Sequence, residues 1–306
     1  MVALPTETVY GLAANALDEK AVARIFEIKG RPANNPIIVH VADVDMAKRC
    51  ARTWPPLADN LARAFWPGPL TLVLPRGRAI PEIVVAGGAT VGVRWPAHPF
   101  IQAVIRECGF PLAAPSANLS SRISPTNAGH VHEQLGGKIP LIVDGGQSQV
   151  GIESTVLDLT VSPPQVLRPG MIHGESLAAV LENRAPQSAR REAQPLRSPG
   201  LLPKHYSPRA KLVVLQWRDD GDLHSQLSIL NVRVATCFVI AHTCIPAAGD
   251  LAEVSVIPHD AEAFARAIYA ELHRCDAAGA GWIVVEAPPE TPAWAGIADR
   301  LRRAAA

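Results

Sequence analysis

Short apolar runs alternate with amphipathic segments through the first two-thirds of the chain. This alternation is typical of an α/β sandwich, in which helices cover a sheet formed by the apolar runs. Strands are predicted at Ile37–Val41, Leu70–Leu74, Val91–Arg94, Leu112–Ala114, Leu141–Asp144 and Thr155–Leu159. Helices are predicted near Asp43–Arg52, Leu57–Phe65, Phe100–Glu107, Asn127–Leu135 and Glu175–Glu182.

One further helix has clear signals at both ends. Asp18 is a favourable N-cap residue and Gly30 supplies a stop. Between them, Val22, Ile25 and Phe26 fall on one helical face, which predicts that this face packs against the sheet.

The end of this helix brings two cations next to an apolar strand. Lys29 and Arg31 stand two residues apart, just ahead of the run Ile37–Val41. A strong cation at the edge of a core is costly unless it meets an anion. The spacing therefore predicts an anionic ligand, either a phosphate or a carboxylate.

A change in composition marks a boundary between two domains. From Ala185 to Pro208, prolines recur in a polar, arginine-containing stretch that cannot form regular structure. Beyond it, strands are predicted at Lys211–Leu215, Ala235–His242 and Trp282–Glu286, and helices at Asp260–Cys275 and Pro292–Ala304. We therefore predict a first domain at residues 1–184, a linker at 185–210 and a smaller α/β domain at 211–306.

The overall composition excludes several classes of protein. The 306 residues are 48% hydrophobic and 19% charged, which suits two globular cores and not a disordered chain. No apolar run approaches the ~20 residues that span a bilayer, and the start MVALPTETVYG lacks the features of a secretory signal. The five cysteines form no C-x-x-C pair, which favours free thiols in a reducing cytosol over disulfides or a zinc site.

The small net charge conceals an asymmetry along the chain. Residues 1–197 carry 19 Lys and Arg against 16 Asp and Glu, whereas residues 212–306 carry 7 against 12. The first domain is therefore the more favourable place for an anion. Its modest basic excess is nevertheless below that of a dedicated nucleic-acid-binding protein.

Several loops beside predicted strands combine glycine or proline with hydroxyl, amide or cationic side chains. They are PTETVYGL (5–12), GGATVGVR (87–94), APSANLSSRISPT (114–126), DGGQSQVGIEST (144–155) and VLRPG (166–170). Each loop taken alone is better explained by helix caps and turns than by a site. Arg94 and Arg168 are harder to explain in that way, because each ends an apolar run and a guanidinium suits forked binding of carboxylate or phosphate.

Familiar catalytic signatures are absent from the sequence. There is no P-loop, no dinucleotide-binding glycine motif, no G-x-S-x-G elbow and no H-E-x-x-H. Glu7 and Glu153 are the carboxylates expected near the site, and they are too few for a carboxylate metal cage. The residues alone thus predict an anion site on an α/β domain and no more specific activity.

Taken together, these segments resemble the YrdC-type threonylcarbamoyl-AMP synthase family. The resemblance also rests on KGRPANNPIIVHV (29–41), WPGPLTLVLP (66–75) and VGVRWPAHP (91–99), and all segments occur in the family's order over residues 1–183. SPGLLPKHYSP (198–208) and the second domain resemble the longer, two-domain form of the family. The resemblance implies an open, twisted mixed sheet with flanking helices, followed by a smaller Rossmann-like α/β domain.

The resemblance also implies an activity and a set of site residues. The family forms threonylcarbamoyl-adenylate and pyrophosphate from L-threonine, bicarbonate or CO2, and ATP. L-Threonine is expected to contact Thr8, His40, Arg94, Ser116 and Ser154. ATP is expected to contact Arg31, Asn35, Thr90, Ala114, Ser124, Arg168 and Tyr206. The expected catalytic residues are the family's K-x-R and S-x-N signature, here Lys29, Arg31, Ser116 and Asn118.

This chemistry is compatible with the residue types present. It requires positioning and charge stabilisation and no protein nucleophile, so cationic and hydroxyl side chains suffice. Mg²⁺ is expected to arrive on the ATP phosphates, which does not require an acidic cage. For the next step, the resemblance implies a cytoplasmic complex that transfers the threonylcarbamoyl group to tRNA. Weak direct contact between this chain and tRNA stays open, and no association with a membrane is expected.

Three features call for separate expectations. Family members usually carry a helix and the start of a strand ahead of PTETVYGL, so we expect the native chain to begin upstream of Met1. Ser121 stands where glycine is common in the family, and we expect serine to be tolerated there.

Tyr206 is far along the chain from the other site residues. We therefore expect residues 198–208 to fold back as a lid that excludes water from the adenylate; a disordered tether is the alternative.

Two other functions stay open from the sequence. An RNA-binding module of the same fold would use a concave basic surface without ATP turnover. A carbamoyltransferase of hydrogenase maturation contains a similar domain, but it is expected to carry paired C-x-x-C zinc modules that this sequence lacks.

Overall fold

The computed structural model describes residues 1–181 and 205–306, together with the backbone of residues 187–188. These residues fall into two compact units. The first unit holds residues 1–120, 124–181 and 187–188, and the second holds residues 121–123 and 205–306. Most of the predicted linker at 185–210 lies outside the described residues, as do residues 198–204 of the expected lid.

Within the described residues, the first unit is built on a nine-stranded mixed sheet. Its strands are β1 (Val2–Leu4), β2 (Gly11–Asn15), β3 (Val39–His40), β4 (Leu70–Pro75), β5 (Thr90–Arg94), β6 (Leu112–Ala113), β7 (Thr155–Asp158), β8 (Gln165–Arg168) and β9 (Gln187–Ser188). Their order across the sheet is β1-β2-β6-β3-β5-β4-β7-β8-β9. The pairs β3–β5, β4–β7 and β8–β9 are parallel and the other neighbours antiparallel, which confirms the mixed sheet.

Helices flank this sheet in the first unit. They are α1 (Glu19–Lys29), α2 (Val44–Cys50), α3 (Pro56–Phe65), α4 (Pro99–Cys108), α5 (Ala128–Leu135) and α6 (Gly174–Val180). The ends of α1 are as predicted. The Asp18 side chain accepts hydrogen bonds from the backbone N–H groups of Lys20 and Ala21, and Gly30 closes the helix with a left-handed φ of 60°.

The two faces of the sheet differ in chemistry. Successive side chains of a strand point to opposite faces, so residues two apart share a face. One face of the neighbouring strands β3, β5, β4 and β7 belongs to the main apolar core. Its members are Val39, Val91, Val93, Leu70, Leu72, Leu74 and Leu157. The opposite face of the same strands carries most of the polar residues singled out in the sequence.

The second unit contains a separate, parallel sheet. Its elements are β10 (Lys211–Leu215), α7 (Asp220–Ile229), β11 (Cys237–Ala241), β12 (Glu253–Val256), α8 (Ala261–Ala277), β13 (Trp282–Glu286) and α9 (Ala295–Ala304). The strand order is β10-β13-β11-β12, and every pairing in it is parallel. Parallel strands joined by helices confirm the predicted Rossmann-like second domain.

Some predicted elements differ from the observed ones. The run predicted as a strand at Ile37–Val41 forms a ladder only at Val39–His40, because the Ile37 N–H is bonded to the carbonyl of Val84, in a 3-10 turn. Residues 141–144 form no strand and contribute a single bridge between Ile142 and Ala3. The elements β1, β2, β8, β9, α7 and β12 were not among the predicted elements. The prediction that residues 185–208 form no regular structure is wrong at β9, because Gln187 and Ser188 pair in parallel with β8.

Among the described residues, no helix combines the length and apolar character needed to cross a bilayer.

Candidate active site

The predicted site residues of the central strands share the polar face of the first sheet. His40 of β3 is the register partner of Arg94 at the end of β5, so the two side chains leave the sheet on the same side. Thr90 shares this face with Arg94 because the two are four residues apart on one strand, and Gly92 leaves a gap without a side chain between them. The structure thus gathers residues that the sequence keeps far apart.

Arg94 is surrounded by groups from two loops. Its Nη1 donates to the hydroxyl of Thr8 at 2.9 Å, and its Nε donates to the carbonyl of Gly68 at 3.2 Å. Its Nη2 lies 2.7 Å from Glu7 Oε1. This last contact joins opposite charges without hydrogen-bond alignment, and among the described residues both Glu7 oxygens and Arg94 Nη2 have no hydrogen-bond partner. Buried polar atoms left in this state favour a ligand that can satisfy them.

His40 is buried next to Arg94 and is held neutral. Burial, helped by the positive charge of Arg94, lowers the pKa of His40 from 6.5 to about 3. Its Nδ1 has no hydrogen-bond partner among the described residues. A neutral imidazole at this position can donate or accept one hydrogen bond through Nδ1, depending on its tautomer, and adds no charge to the site.

Lys29, at the end of α1, binds the loop that carries Ser116 and Asn118. Its Nζ donates to the backbone carbonyls of both residues and, at 3.3 Å, to Asn118 Oδ1. Burial, followed by the charge of Arg31, lowers the pKa of Lys29 well below its usual range. The K-x-R and S-x-N segments are therefore joined directly, and the Lys29 contacts seen here are with the loop.

Arg31 is buried and organises the turn that follows α1. Its Nε donates to the carbonyl of Asn35 at 2.9 Å, and its Nη2 donates to Asn35 Oδ1 at 2.7 Å and to the carbonyl of Pro36 at 2.6 Å. Asn35 is fully buried, and its Nδ2 has no hydrogen-bond partner within the described part of the chain. That amide is a donor available to a ligand.

A third group of site residues lies where β7 begins and β8 ends. Arg168 donates from Nε to the carbonyl of Ser154 and from Nη2 to its hydroxyl, both at 3.1 Å. The Ser154 hydroxyl is also 2.8 Å from that of Thr71, which stands beside Arg94 on the polar face. Nearby in sequence, Glu153 accepts a hydrogen bond from Ser124 at 2.5 Å. The hydroxyls of Ser154 and Thr71 thus connect Arg168 to the polar face that carries Arg94.

The other residues predicted for the site differ in burial and in the unit to which they belong. Thr90 and Ser116 are half-buried, and Ala114 is buried and bonded through its N–H to the carbonyl of Ile38. Tyr206 belongs to the second unit, where it packs against Tyr269 and Arg300. Its assignment to ATP stays a prediction.

Thr71 and Gly68 were not predicted to take part in the site. Thr71 interrupts the apolar run of β4, and that single hydroxyl in LTLVLP is the only sequence signal for it. Gly68 contributes only its carbonyl, which no side-chain pattern reveals. Glu7 and Glu153 were expected near the site and do contact Arg94 and Ser124.

Within the described residues, no three His, Cys, Asp or Glu side chains converge as ligands for a metal ion. The donor set of the first unit consists of arginine, lysine, hydroxyl and amide groups, which suits phosphate and carboxylate oxygens. A metal ion that arrives on phosphates is compatible with these residues, because the phosphates and water supply its ligands.

Known proteins are similar to this chain over almost its whole length. A family model described as "Telomere recombination", for the Sua5, YciO and YrdC proteins, matches residues 1–170, and the model "Threonylcarbamoyl-AMP synthase, C-terminal domain" matches residues 172–306. The chain is 40% identical over 306 residues to the threonylcarbamoyl-AMP synthase of Pyrococcus abyssi, covering 99% of this chain and 90% of that protein. It is 39% identical over 315 residues to the enzyme of that name from Bacillus subtilis, covering 100% and 89%.

A solved structure agrees with these relatives. The crystal structure of P. abyssi Sua5 complexed with L-threonine matches with a TM-score of 0.90 and 38% identity, covering 99% of this chain and 90% of that one.

Proposed function

The chain belongs to the two-domain threonylcarbamoyl-AMP synthase family, and we propose that its polar sheet face forms threonylcarbamoyl-AMP from L-threonine, CO2 or bicarbonate, and ATP. The observation that carries the proposal is the convergence of Arg94, His40, Ser154 and Arg168 on the first unit's sheet, away from the apolar core. As a reaction class this is nucleotidyl transfer, since an adenylyl group moves from ATP to an acid.

The reaction proceeds in two bond-forming steps. The neutral amine of L-threonine adds to CO2, forming a carbamate and releasing a proton; from bicarbonate, the same carbamate forms with release of water and no net proton. A carbamate oxygen then attacks the α-phosphorus of ATP, forming a new P–O bond as the bond to the β-phosphate breaks and pyrophosphate leaves. The protein forms no covalent bond in this scheme, so its contribution is orientation and charge stabilisation.

L-Threonine is proposed to bind around Arg94. The guanidinium would take the carboxylate of the amino acid in a forked contact, displacing the poorly aligned Glu7. The neutral His40 and the hydroxyls of Thr8 and Ser154 would meet the polar atoms of the substrate. In support, the crystallised P. abyssi relative holds L-threonine, and the buried polar atoms at Glu7, Arg94 and His40 suit a small zwitterion.

ATP is proposed to bind along the turn after α1 and the end of β8. Arg31 and Arg168 would stabilise phosphate charge, and the Asn35 amide would donate a hydrogen bond. Thr90, Ala114 and Ser124 would complete the contacts, and Tyr206 stays an ATP contact expected from the resemblance. Mg²⁺ would enter as part of the substrate, held by the phosphates and water.

Lys29 is proposed to act by positioning the S-x-N loop. Its three donors reach acceptors of Ser116 and Asn118, so the loop that presents Ser116 to L-threonine is fixed to the end of α1. Outside the site, we propose that the product passes in the cytoplasm to a complex that modifies tRNA, with at most weak tRNA contact by this chain.

Pyrophosphate release is the direct test of this function. Release should require L-threonine, bicarbonate and ATP, and omission of any one of the three should abolish it. Release that continues without L-threonine would reject the reaction. Tight binding of RNA by a chain that releases no pyrophosphate would instead favour the RNA-binding module of the same fold.

A further inference from the structure

The second unit contains a polar cluster that the proposed reaction does not use. His242 and Thr243 directly follow β11, and His259 follows β12. Because β11 and β12 are parallel neighbours, these residues meet at the carboxyl edge of the sheet. In open α/β sheets this edge is where ligands bind.

Three polar atoms of this cluster form a nearly equilateral triangle. His242 Nδ1 lies 2.8 Å from His259 Nδ1 and 2.8 Å from the hydroxyl of Thr243. The Thr243 hydroxyl in turn lies 2.9 Å from His259 Nδ1. All three atoms therefore face a common point.

Hydrogen bonds cannot satisfy all three edges of this triangle. His242 Nε2 is 3.2 Å from the carbonyl oxygen of Ala287, which can only accept. In the neutral ring the proton thus belongs on Nε2, and Nδ1 directs its single lone pair into the triangle. One lone pair cannot accept from both Thr243 and His259. A carbonyl that fixes the tautomer in this way is also the usual outer partner of a metal-binding histidine.

The two imidazoles are held in place by aromatic neighbours. The Trp294 ring centroid lies 5.4 Å from the centroids of both His242 and His259, and Phe264 packs edge-on against His242. His242 is buried, whereas Thr243 and His259 are exposed. The triangle is therefore rigid on its inner side and accessible from solvent on its outer side.

The separations between the three polar atoms can be compared with those expected for different metal coordination geometries. Bonds of about 2.0–2.1 Å give ligand separations of about 2.8–3.0 Å on an octahedron and about 3.3–3.4 Å on a tetrahedron. The observed edges match a face of an octahedron. We propose that His242, His259 and Thr243 bind a six-coordinate divalent transition-metal ion, such as Ni²⁺, whose other three ligands are water.

The neighbouring carboxylate supports a cation at this point. Glu286, at the end of β13, accepts hydrogen bonds from the backbone N–H groups of His242, Thr243 and Cys244, and so shapes the loop that carries two of the ligands. One of its oxygens lies 3.9 Å from His242 Nδ1. Two imidazoles, one hydroxyl and water form a modest ligand set, so the ion is exchangeable.

Titration of the untagged, full-length chain with Ni²⁺ alone tests the site. At neutral pH, calorimetry should show one saturable site per chain, and His259→Ala should weaken it at least about 10-fold. His224→Ala is the matched control, because His224 is another solvent-accessible histidine of the same unit, paired with Asp250, and its loss should leave the affinity unchanged. Absence of saturable binding, or equal affinity in His259→Ala, overturns the proposal and leaves a hydrogen-bonded histidine pair.

Two further measurements address the ligand set. Thr243→Val keeps the side-chain shape and removes the oxygen, so it should weaken Ni²⁺ binding severalfold; unchanged affinity contradicts the three-atom site. Co²⁺ substituted at the site should show the weak visible absorption of six-coordinate cobalt, and the intense bands of a tetrahedral complex would overturn the geometry.

Discussion

Arg94 Nη2 lies 2.7 Å from Glu7 Oε1, and both side chains are buried in the first unit. The two charges are close, yet their atoms are not aligned for a hydrogen bond. Desolvating a charge pair without good geometry costs free energy that the attraction repays only in part. A substrate carboxylate that offers two aligned oxygens to Arg94 can therefore compete with Glu7, and we predict that the L-threonine carboxylate takes this position.

Arg94→Lys should impair the use of L-threonine specifically. Lysine keeps the positive charge but loses the planar fork that matches a carboxylate. We expect kcat/KM for L-threonine to fall about 100-fold or more, by comparison with other electrostatic stabilisers, while KM for ATP changes little. Pyrophosphate release measured against each substrate in turn gives both values.

The matched control for Arg94→Lys is Arg106→Lys. Arg106 is an exposed arginine of α4 bonded to Gln102, so its replacement should leave both KM values unchanged. Equal rises in KM for ATP and L-threonine in Arg94→Lys would argue against a carboxylate fork and for a general disturbance of the sheet.

His40 should make the first unit less stable in acid. Burial, and then the charge of Arg94, lowers its pKa from 6.5 to about 3, so between these values the unfolded chain binds a proton that the folded chain does not. Stability therefore rises with pH across this window and is lost on acidification, by up to about 1.4 kcal/mol per pH unit. His40→Gln should reduce the slope of unfolding free energy against pH, measured by urea unfolding with hydrogen exchange of the first sheet.

His132→Gln provides the comparison for His40→Gln. His132 is exposed on α5, and its replacement should leave the slope as in the wild type. If His40→Gln has the same slope as the wild type, the acid sensitivity arises from other groups.

Local signals decided which elements the sequence could predict. The helix α1 was predicted because Asp18 and Gly30 mark its ends, and β10 was predicted with its observed bounds because KLVVL is an isolated apolar run. The helix α7 was missed because its sequence is mostly polar and only Leu223 and Leu227 are buried. The strand β12 was missed because it is a partly exposed edge strand.

The site was less predictable than the fold from the residues alone. Isolated arginines and hydroxyls indicated an anion site, and the resemblance to a family supplied the individual residues. Thr71 was missed because its part in the site depends on strand register, which places it opposite Arg94 and beside Ser154. Register is fixed by tertiary pairing and not by any local pattern.

Ser121→Gly should stabilise the protein. Ser121 has a φ of 66°, in the left-handed region that costs a residue with a side chain free energy and costs glycine almost none. The position therefore has the backbone conformation that favours glycine. The gain is offset in part by the greater freedom of glycine in the unfolded chain, so we expect about 0.5–1 kcal/mol. Thermal unfolding should show a higher Tm, whereas Ser120→Gly, at a neighbour without a positive φ, should lower it.

Lys29→Met should loosen the loop that carries Ser116 and Asn118. The substitution removes the three hydrogen bonds from Nζ and keeps the apolar stem, so we expect a loss of about 2 kcal/mol in stability. Hydrogen exchange of residues 116–120 should accelerate, and kcat should fall under conditions where the protein remains folded. Lys20→Met is the control, because Lys20 is exposed at the other end of α1.

The comparison of exchange and activity in Lys29→Met separates two roles for this lysine. If the ammonium acts only by holding the loop, faster exchange and lower activity should appear together, and Lys29→Gln, whose amide retains donors, should restore part of both. Low activity with the wild-type exchange rate would show instead that Lys29 acts on the substrates through its charge. The contacts of Nζ with Ser116 and Asn118 favour the first role, because they engage its donors with the loop. Burial, followed by the charge of Arg31, also lowers the pKa of Lys29, which weakens the positive charge that it could offer a phosphate.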